Sequence, residues 1–219
     1  LPVDSEIMAA CDDLAARLGR AGAAVRQAQP EGPGDLLDLY SLGHELAIMV
    51  LTTHLSRETK AEIAAWAHAE AIKRNDPLIE QGALAMEASA SDYIFAWGRR
   101  EQYRAAYRAF FQDWDVLLTP MTLVPAFRHD EAPMDVDSDD RTLSVNGQTV
   151  PYLRLEAYPA LATCCGQPAT AFPFGRTRAG LPIGLQAIGP YLEDHTPLRF
   201  AALVAQEYGG FAPPPGYEA

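Results

Sequence analysis

The chain has 219 residues, 48% of them hydrophobic, which is long and apolar enough for a packed core and argues against wholesale disorder. Its 29 acidic and 17 basic residues give a formal net charge of -12, and no basic stripe with interleaved aromatic residues is visible, so we expect no nucleic-acid partner. The aliphatic stretch 36–55 is interrupted by Asp38, His44 and Glu45, which favours a buried helix over a membrane span.

The three cysteines are Cys11, Cys164 and Cys165, and the adjacent pair cannot easily form a disulfide with each other. An odd number of cysteines of this kind favours a reducing compartment, so we expect a cytoplasmic protein. The sequence begins at Leu1 rather than Met, and the absence of a signal peptide therefore carries little weight.

The first half of the sequence predicts a largely helical structure. Asp4 is a predicted N-cap of a helix that ends near Gly19 or Gly22. Residues 29–34 hold two prolines and two glycines, which predicts a loop, and Asp35 follows as the predicted cap of an apolar helix. Further helices are predicted over residues 56–74 and 76–111.

The second half predicts short strands. A continuous apolar run, Val116–Leu118, stands before Thr119-Pro120, and residues 169–174 and 183–188 form two further apolar runs. Asn146-Gly147 predicts a type I′ turn that joins two strands within 143–150. The Pro- and Asp-rich stretch 125–142 predicts a surface loop.

The last predicted element is a helix with Thr196 as its N-cap and Pro197 at its first position. Its predicted apolar face carries Leu198, Ala201, Ala205 and Tyr208, and Gly209-Gly210 ends it.

Residues 158–190 contain Cys-Gly-Gln-Pro-Ala, Pro-Phe-Gly and Leu-Pro-Ile-Gly-Leu-Gln-Ala-Ile-Gly in that order. This order resembles the C-terminal half of the amidase signature family, which carries Gly-Leu-Pro-Ala, Pro-x-Gly and Leu-Pro-x-Gly-x-Gln-x-x-Gly segments. The segment Trp114–Pro120 resembles the Asp-x-Leu-x-x-Pro-Thr strand of that family. The resemblance covers nearly the whole chain.

The resemblance implies an α/β fold, part of a mixed-sheet α/β/α amidase signature domain, with residues 1–219 as its C-terminal portion. It also implies hydrolysis of a C–N amide bond through an acyl-enzyme formed by a Ser-cisSer-Lys centre. In the family that centre lies in a Gly/Ser-rich N-terminal segment, which no residue here matches. We therefore assign no catalytic residue and no cofactor to this chain, and we expect an N-terminal catalytic segment of the same enzyme as its partner.

The same resemblance implies that turns and strand ends of this chain form walls of the acyl pocket for a small amide substrate. The residues predicted for these walls are Thr119, Thr122, Thr163, Cys164, Cys165 and Gly166. Sheet-based sites form at such positions, where side chains would shape specificity without taking part in the chemistry.

Three alternative functions remain open at this point. The chain could be a non-catalytic amidase-like subunit that binds a partner, with self-association as a homodimer one outcome of its exposed apolar edges. It could belong to the A subunit of a glutamyl-tRNA amidotransferase. A thiol hydrolase built on Cys165, with His44, His54 or His68 as base, is disfavoured because the surroundings are apolar and a nucleophilic thiol needs an electropositive setting.

Other chemical patterns are weaker. Ser56 and Lys60 lie one helical turn apart, but Ser56 is better explained as an N-cap. No zinc motif is present, and the acidic cluster 137–140 lacks the glycine and distal glutamate of a calcium loop. An arginine among Arg99, Arg100 and Arg104 could bind a carboxylate, although surface ion pairs explain these residues better.

Overall fold

The computed structural model describes residues 1–129, 141–214 and 216–217. The α-helices in this part of the chain are α1 Ser5–Arg20, α2 Leu36–Leu51, α3 Arg57–Arg74, α4 Pro77–Glu87, α5 Ala90–Phe110, α6 Ala157–Thr163 and α7 His195–Tyr208. The strands are β1 Leu117–Pro120, β2 Thr142–Val145, β3 Gln148–Pro151, β4 Ala169–Arg176 and β5 Pro182–Ile188. The predicted α/β class and the largely helical first half are confirmed.

The main sheet has the strand order β1-β5-β4, and both pairings are antiparallel. β5 lies in the middle, where Gln186 is paired with Thr119 on one side and with Ala171 on the other. β2 and β3 form a separate two-stranded hairpin. The three predicted strand regions of the sheet are therefore confirmed, and they meet around β5.

One hydrophobic core lies between the sheet and the helices α1 and α7. Ile7 and Leu14 of α1 are buried against it, as are Phe172 of β4 and Leu185 of β5. A second cluster joins the helices to the far end of β5, through Leu42 of α2, Tyr103 and Tyr107 of α5, Cys165 and Ile188. β5 thus contributes to both cores, which fixes the helical layer relative to the sheet.

Several local signals in the sequence act as predicted. The Asp4 side chain accepts a hydrogen bond from the backbone N–H of Glu6, and Asp35 forms a capping box with Asp38. Asn146 and Gly147 have φ values of 51° and 81°, the two positive angles that a type I′ turn requires. The Asn146 side chain also donates to the Val3 carbonyl (2.8 Å) and accepts from the Ser5 N–H (3.1 Å). The turn is thereby tied to the start of α1.

The single helix predicted over 76–111 is wrong, because the chain breaks between α4 and α5. Ala88 is extended, and Ser89 begins a new helix by forming a capping box with Asp92. The 3-10 helix Tyr152–Glu156 and the helix α6 were not predicted either. These short elements lack the repeated apolar spacing that reveals a longer helix.

The final helix begins at His195, and no side chain caps it. The hydroxyl of Thr196, the predicted cap, donates to Glu193 (3.2 Å) instead of accepting from the helix backbone. The buried face consists of Pro197 and Val204, whereas the predicted Leu198 is 53% exposed. Gly209 ends the helix with a φ of 93°, as predicted.

Burial of β4 alternates, with Phe172 and Phe174 buried and Ala171 and Pro173 exposed. The sequence predicts apolar strands covered on both faces, but β4 is covered on one face only: Phe172 and Phe174 pack in the core with residues of α1 and α7, while the residues between them are exposed. Most of the predicted loop over 125–142 falls on residues 130–140, which lie outside the described residues. Within the described part of the chain, no helix is both long and apolar enough to cross a bilayer.

Candidate functional site

A partly enclosed cavity of about 220 Å³ lies between α2, α3, α4 and the segment 151–154. Apolar side chains supply most of its wall, together with Gly82 of α4: Ile48, Ile63, Trp66, Ala67, Leu78, Ile79 and Met86. Cavities that bind small molecules in proteins are mostly apolar with a few polar groups placed among them, which is the composition found here. The cavity is therefore a candidate binding site.

One end of the cavity is polar. Asp76 caps α4 by accepting from the Leu78 N–H (2.9 Å), and the Arg154 guanidinium donates to the same carboxylate oxygen. Both partners of this ion pair are only 11% exposed, so neither charge is screened well by water. The pair joins the start of α4 to the segment that follows the hairpin, and it closes this end of the cavity.

His44 lies beside that ion pair in the cavity wall. Burial, followed by the positive charge of Arg154, lowers the pKa of His44 below its usual value. Both effects favour the uncharged imidazole over the imidazolium. The neighbouring Tyr40 ring lies 6.2 Å away between centroids, and the Tyr40 hydroxyl donates to the Leu153 carbonyl (2.6 Å), which holds α2 against the 151–154 segment.

The residues predicted as acyl-pocket walls lie elsewhere. Thr119 is buried on β1, where its hydroxyl accepts a hydrogen bond from Gln186 (3.2 Å), and Thr122 is half-buried just after the strand. Gln186 also donates to the Tyr158 carbonyl (3.3 Å), so this one side chain connects β5, β1 and α6. Thr119 and Thr122 are not among the cavity-lining residues. Their role as pocket walls stays a prediction.

The other predicted wall residues lie at the end of α6 and in the turn that follows it. Thr163 is exposed, and its hydroxyl donates to the Pro159 carbonyl (3.2 Å). Gly166 has a φ of 70°, and a Cβ there would lie 3.4 Å from the Arg100 guanidinium. Both the backbone conformation and the close neighbour therefore favour glycine at this position.

Arg100 of α5 braces the same turn. Its Nε donates to the Cys164 carbonyl, and its guanidinium stacks over Trp97 at 4.5 Å. The sequence favoured a surface ion pair for this arginine, and one exists with Glu101, but the two charged groups are 3.8 Å apart. The hydrogen bond to the turn is the shorter contact, so the arginine serves mainly to hold the turn in place.

The two adjacent thiols are buried in the second hydrophobic cluster, Cys165 fully and Cys164 at 7% exposure. The hydrogen bond with Cys164, then burial, raises the pKa of Cys165 far above its ordinary value. A thiol with a raised pKa forms little thiolate, the species that attacks a carbonyl. Cys165 is therefore poorly suited to act as a nucleophile.

Two of the three histidines considered as bases for that thiol, His44 and His68, have other neighbours. His44 is part of the cavity wall, and Cys165 is not. Both ring nitrogens of His68 face carboxylates, with Glu80 at 2.8 Å and Glu87 at 3.4 Å. The structure thus does not bring a thiol and either of these imidazoles together in the way that a thiol hydrolase requires.

The remaining predicted patterns are structural. The Ser56 hydroxyl accepts from the Thr59 N–H (3.1 Å), which confirms it as the cap of α3. No group of three or more metal-ligating side chains is assembled within the described residues. The acidic cluster 137–140 lies outside them.

Sequence reasoning missed the cavity and its two most distinctive residues, Gly82 and Arg154. A signal for Gly82 was present, because a glycine in the middle of a helix costs about 1 kcal/mol relative to alanine and calls for a packing or functional reason. Arg154 offers no comparable signal, since its partner Asp76 lies 78 positions away in the sequence.

The family model described as Amidase matches residues 1–198. The chain is 29% identical over 188 residues to a fatty acid amide hydrolase of Medicago truncatula, an alignment that covers 80% of this chain and 30% of that protein. It is 32% identical over 132 residues to the A subunit of the glutamyl-tRNA(Gln) amidotransferase of Myxococcus xanthus, covering 59% of this chain and 24% of that protein.

Among solved structures, a bacterial aryl acylamidase of the amidase signature family superposes with a TM-score of 0.66 at 20% identity, covering 95% of this chain and 41% of that one. The A subunit of the glutamyl-tRNA(Gln) amidotransferase of Thermotoga maritima gives a TM-score of 0.63 at 18% identity, with 100% and 43% covered. These likenesses concern the fold. The chain spans less than half the length of each of these relatives, and the match to the family model shows that it belongs to the amidase signature family.

Proposed function

We propose that this chain is the C-terminal portion of an amidase that hydrolyses a linear C–N amide bond through a serine acyl-enzyme. The observation that carries the proposal is the Amidase match over residues 1–198. The Ser-cisSer-Lys residues of such a mechanism lie outside this chain. Within the chain, the serine that stands one helical turn from a lysine, Ser56, is occupied as a helix cap.

In this proposal the chain contributes binding and positioning. A hydroxyl attacks an amide only when a base takes its proton and when N–H groups stabilise the oxyanion that forms. The described residues of this chain do not supply an activating base together with a set of N–H groups for the oxyanion. They supply an apolar cavity, and a braced turn at Thr163–Gly166, against which a substrate would be held.

The proposed partner is an N-terminal catalytic segment of the same enzyme. Among the described residues, β1 and β4 each pair on one side only, so each leaves an unpaired edge. Ile94 and Phe95 of α5 are 70% and 74% exposed, which supports a covering partner because large exposed apolar side chains mark interfaces when they cluster. We propose a cytoplasmic location, in keeping with three free cysteines.

Comparing the protein expressed from its complete coding sequence with residues 1–219 expressed alone tests this function. We expect the complete protein to hydrolyse acyl p-nitroanilides and to be labelled by a fluorophosphonate on a serine. Residues 1–219 should show neither, since losing an activated nucleophile and oxyanion hole costs several orders of magnitude in rate. Activity of residues 1–219 that survives purification and disappears on mutation of a serine in this range would contradict the proposal.

A second candidate function is transfer of ammonia in a glutamyl-tRNA amidotransferase, which the 32% identity to the Myxococcus xanthus protein favours. The two functions differ in the fate of the amine that leaves when the serine takes the acyl group. An amidase releases this amine, whereas an amidotransferase passes the ammonia to a second acyl acceptor, and in both cases water frees the acyl group from the serine. Release of ammonia from glutamine that depends on added amidotransferase partner subunits, without turnover of acyl anilides, would select this candidate.

A further inference from the structure

The cavity between α2, α3 and α4 has a size that selects among apolar groups. An apolar cavity of roughly 150 Å³ is sufficient for a benzene molecule, and the volume here is about 220 Å³. A single ring with a few more carbon atoms, or an alkyl chain of similar bulk, matches this volume. A long fatty chain does not.

We propose that this cavity binds a neutral acyl group of one-ring size, and that Gly82 and Trp66 set its upper limit. That the bound group is the acyl part of a substrate rests on the proposed amidase function. The binding site itself rests on the geometry of this chain.

Gly82 forms the α4 side of the wall and is buried in mid-helix. A Cβ at this position would stand 3.2 Å from Ile48 Cδ1 and 3.5 Å from His44 Nε2, and both of these side chains also belong to the wall. Alanine would therefore fill space next to the polar end of the cavity. The helix tolerates the glycine although alanine would favour helix formation by about 1 kcal/mol.

Trp66 limits the cavity from α3, where it is half-buried beside Ile63 and Ala67. An indole is the largest side chain in the wall. Its removal would lengthen the space available to a bound chain without adding a charge or an unpaired polar group.

The polar end favours a neutral ligand over an anion. Arg154 is already paired with Asp76, so a bound carboxylate would meet a carboxylate as well as a guanidinium. His44 supplies an uncharged ring that can donate to or accept from a carbonyl or hydroxyl. A neutral group therefore loses less hydration there than a carboxylate, which would lack a partner of its own.

The test uses the protein expressed from its complete coding sequence and a series of acyl p-nitroanilides: acetyl, butyryl, hexanoyl, phenylacetyl and dodecanoyl. We expect kcat/KM to peak at hexanoyl and phenylacetyl. Gly82→Ala should lower the ratio of hexanoyl to acetyl turnover about tenfold, the scale of a lost methylene contact. Trp66→Ala should raise the ratio of dodecanoyl to hexanoyl turnover by a similar factor. Gly98→Ala is the matched control, since a Cβ on that α5 glycine meets nothing within 4 Å.

A binding measurement separates this inference from the proposed function. By calorimetry, 2-phenylethanol should bind, and phenylacetate should bind at least about tenfold more weakly, the scale of one unpaired polar group. Gly82→Ala should weaken the binding of 2-phenylethanol, and Gly98→Ala should not. If anilides are not turned over but this binding pattern holds, the amidase function fails and the cavity stands.

The inference is overturned if anilides are hydrolysed with a length profile that Gly82→Ala and Trp66→Ala leave unchanged. It is also overturned if 2-phenylethanol does not bind, or binds with equal strength to all variants. If Gly82→Ala lowers the melting temperature too far for assay, Trp66→Ala decides the matter alone, because it removes atoms from the wall and adds none.

Discussion

β5 and the cavity-lining faces of α3 and α4 bury their apolar side chains to different extents. On β5, Leu185, Ala187 and Ile188 are fully buried and take part in two cores. In the helical layer, Ile63 and Ile79 are only half-buried, because they face a cavity. The difference indicates that β5 tolerates few substitutions. The side chains of α3 and α4 that line the cavity can change, and the size of the group that the cavity accepts changes with them.

The largest expected effect is a loss of stability when a buried side chain of β5 is truncated. Leu185→Ala should reduce the free energy of unfolding by about 2–5 kcal/mol, because it leaves a cavity in a closed core. Ile79→Ala should cost about 1 kcal/mol, since it enlarges an existing space. Urea denaturation of the complete protein measures both values. Equal losses in the two variants would break the contrast between sheet and helical layer.

The next effect concerns the ion pair at the polar end of the cavity. Arg154→Ala should cost about 3 kcal/mol, because it leaves the Asp76 carboxylate poorly hydrated and without its charged partner. Arg178→Ala is the control on the sheet side, where the arginine is 98% exposed beside Glu6 and its removal should be close to neutral. Thermal denaturation of both variants checks the prediction. If Arg154→Ala leaves the melting temperature unchanged, water must reach the Asp76 carboxylate freely.

A smaller effect is expected at the break between α4 and α5. Ser89→Ala should cost about 1 kcal/mol, since it removes the hydroxyl that accepts from the Asp92 N–H. Ser91→Ala, two residues further on in the same exposed turn, leaves that cap in place and should be neutral or slightly stabilising. If the melting temperatures of the two variants coincide, the capping box does not hold the break in place.

The smallest effect is a pH dependence within the helical layer. Hydrogen bonds to Glu80 and then Glu87 raise the pKa of His68 in the folded state. The protonated ring therefore stabilises the contact of α3 with α4 below the unfolded pKa of about 6.5, and this contribution disappears as pH rises through the folded value. His68→Gln should lower the melting temperature at a pH of about 5.5 and leave it nearly unchanged at a pH of about 9. A loss that is the same at both pH values would assign His68 a packing role only.

His44 should act in the opposite sense. Its pKa is lowered in the folded state, so folding favours the neutral ring, and the stability it contributes falls as pH drops below about 6.5. Melting curves of His44→Gln between pH values of about 5 and about 8 would show the variant gaining on the wild-type protein at the acid end. The two histidines change stability in opposite directions with pH. Titration therefore distinguishes the cavity wall, which contains His44, from the contact of α3 with α4, which contains His68.

Much of the fold follows from local sequence signals. Asp4, Asp35 and Ser56 indicate helix starts through short side chains that bond the backbone nearby, and Asn146-Gly147 indicates a turn through its positive φ angles. Ser89 carries the same kind of signal, but the apolar spacing around it continues without interruption, and the break was missed. The final helix shows the reverse error, since Thr196 has the chemistry of a cap and bonds Glu193 instead.

The candidate site could not be predicted in this way. Its wall combines α2, α3, α4 and residues 151–154, and no local pattern states which helix faces will meet. The family motifs lie around the turn at Thr163–Gly166 and on β5, which made the predicted pocket residues cluster there. The residues that line the cavity lie outside those motifs.

Two adjacent residues of α2 serve different layers of the molecule. A Cβ on Gly43 would lie 3.4 Å from the Cys164 side chain, while His44 lines the cavity. A sequence change in this helix therefore disturbs the core and the binding wall at once. We therefore expect substitutions that change ligand preference to be tolerated better in α3 and α4 than at these two positions of α2.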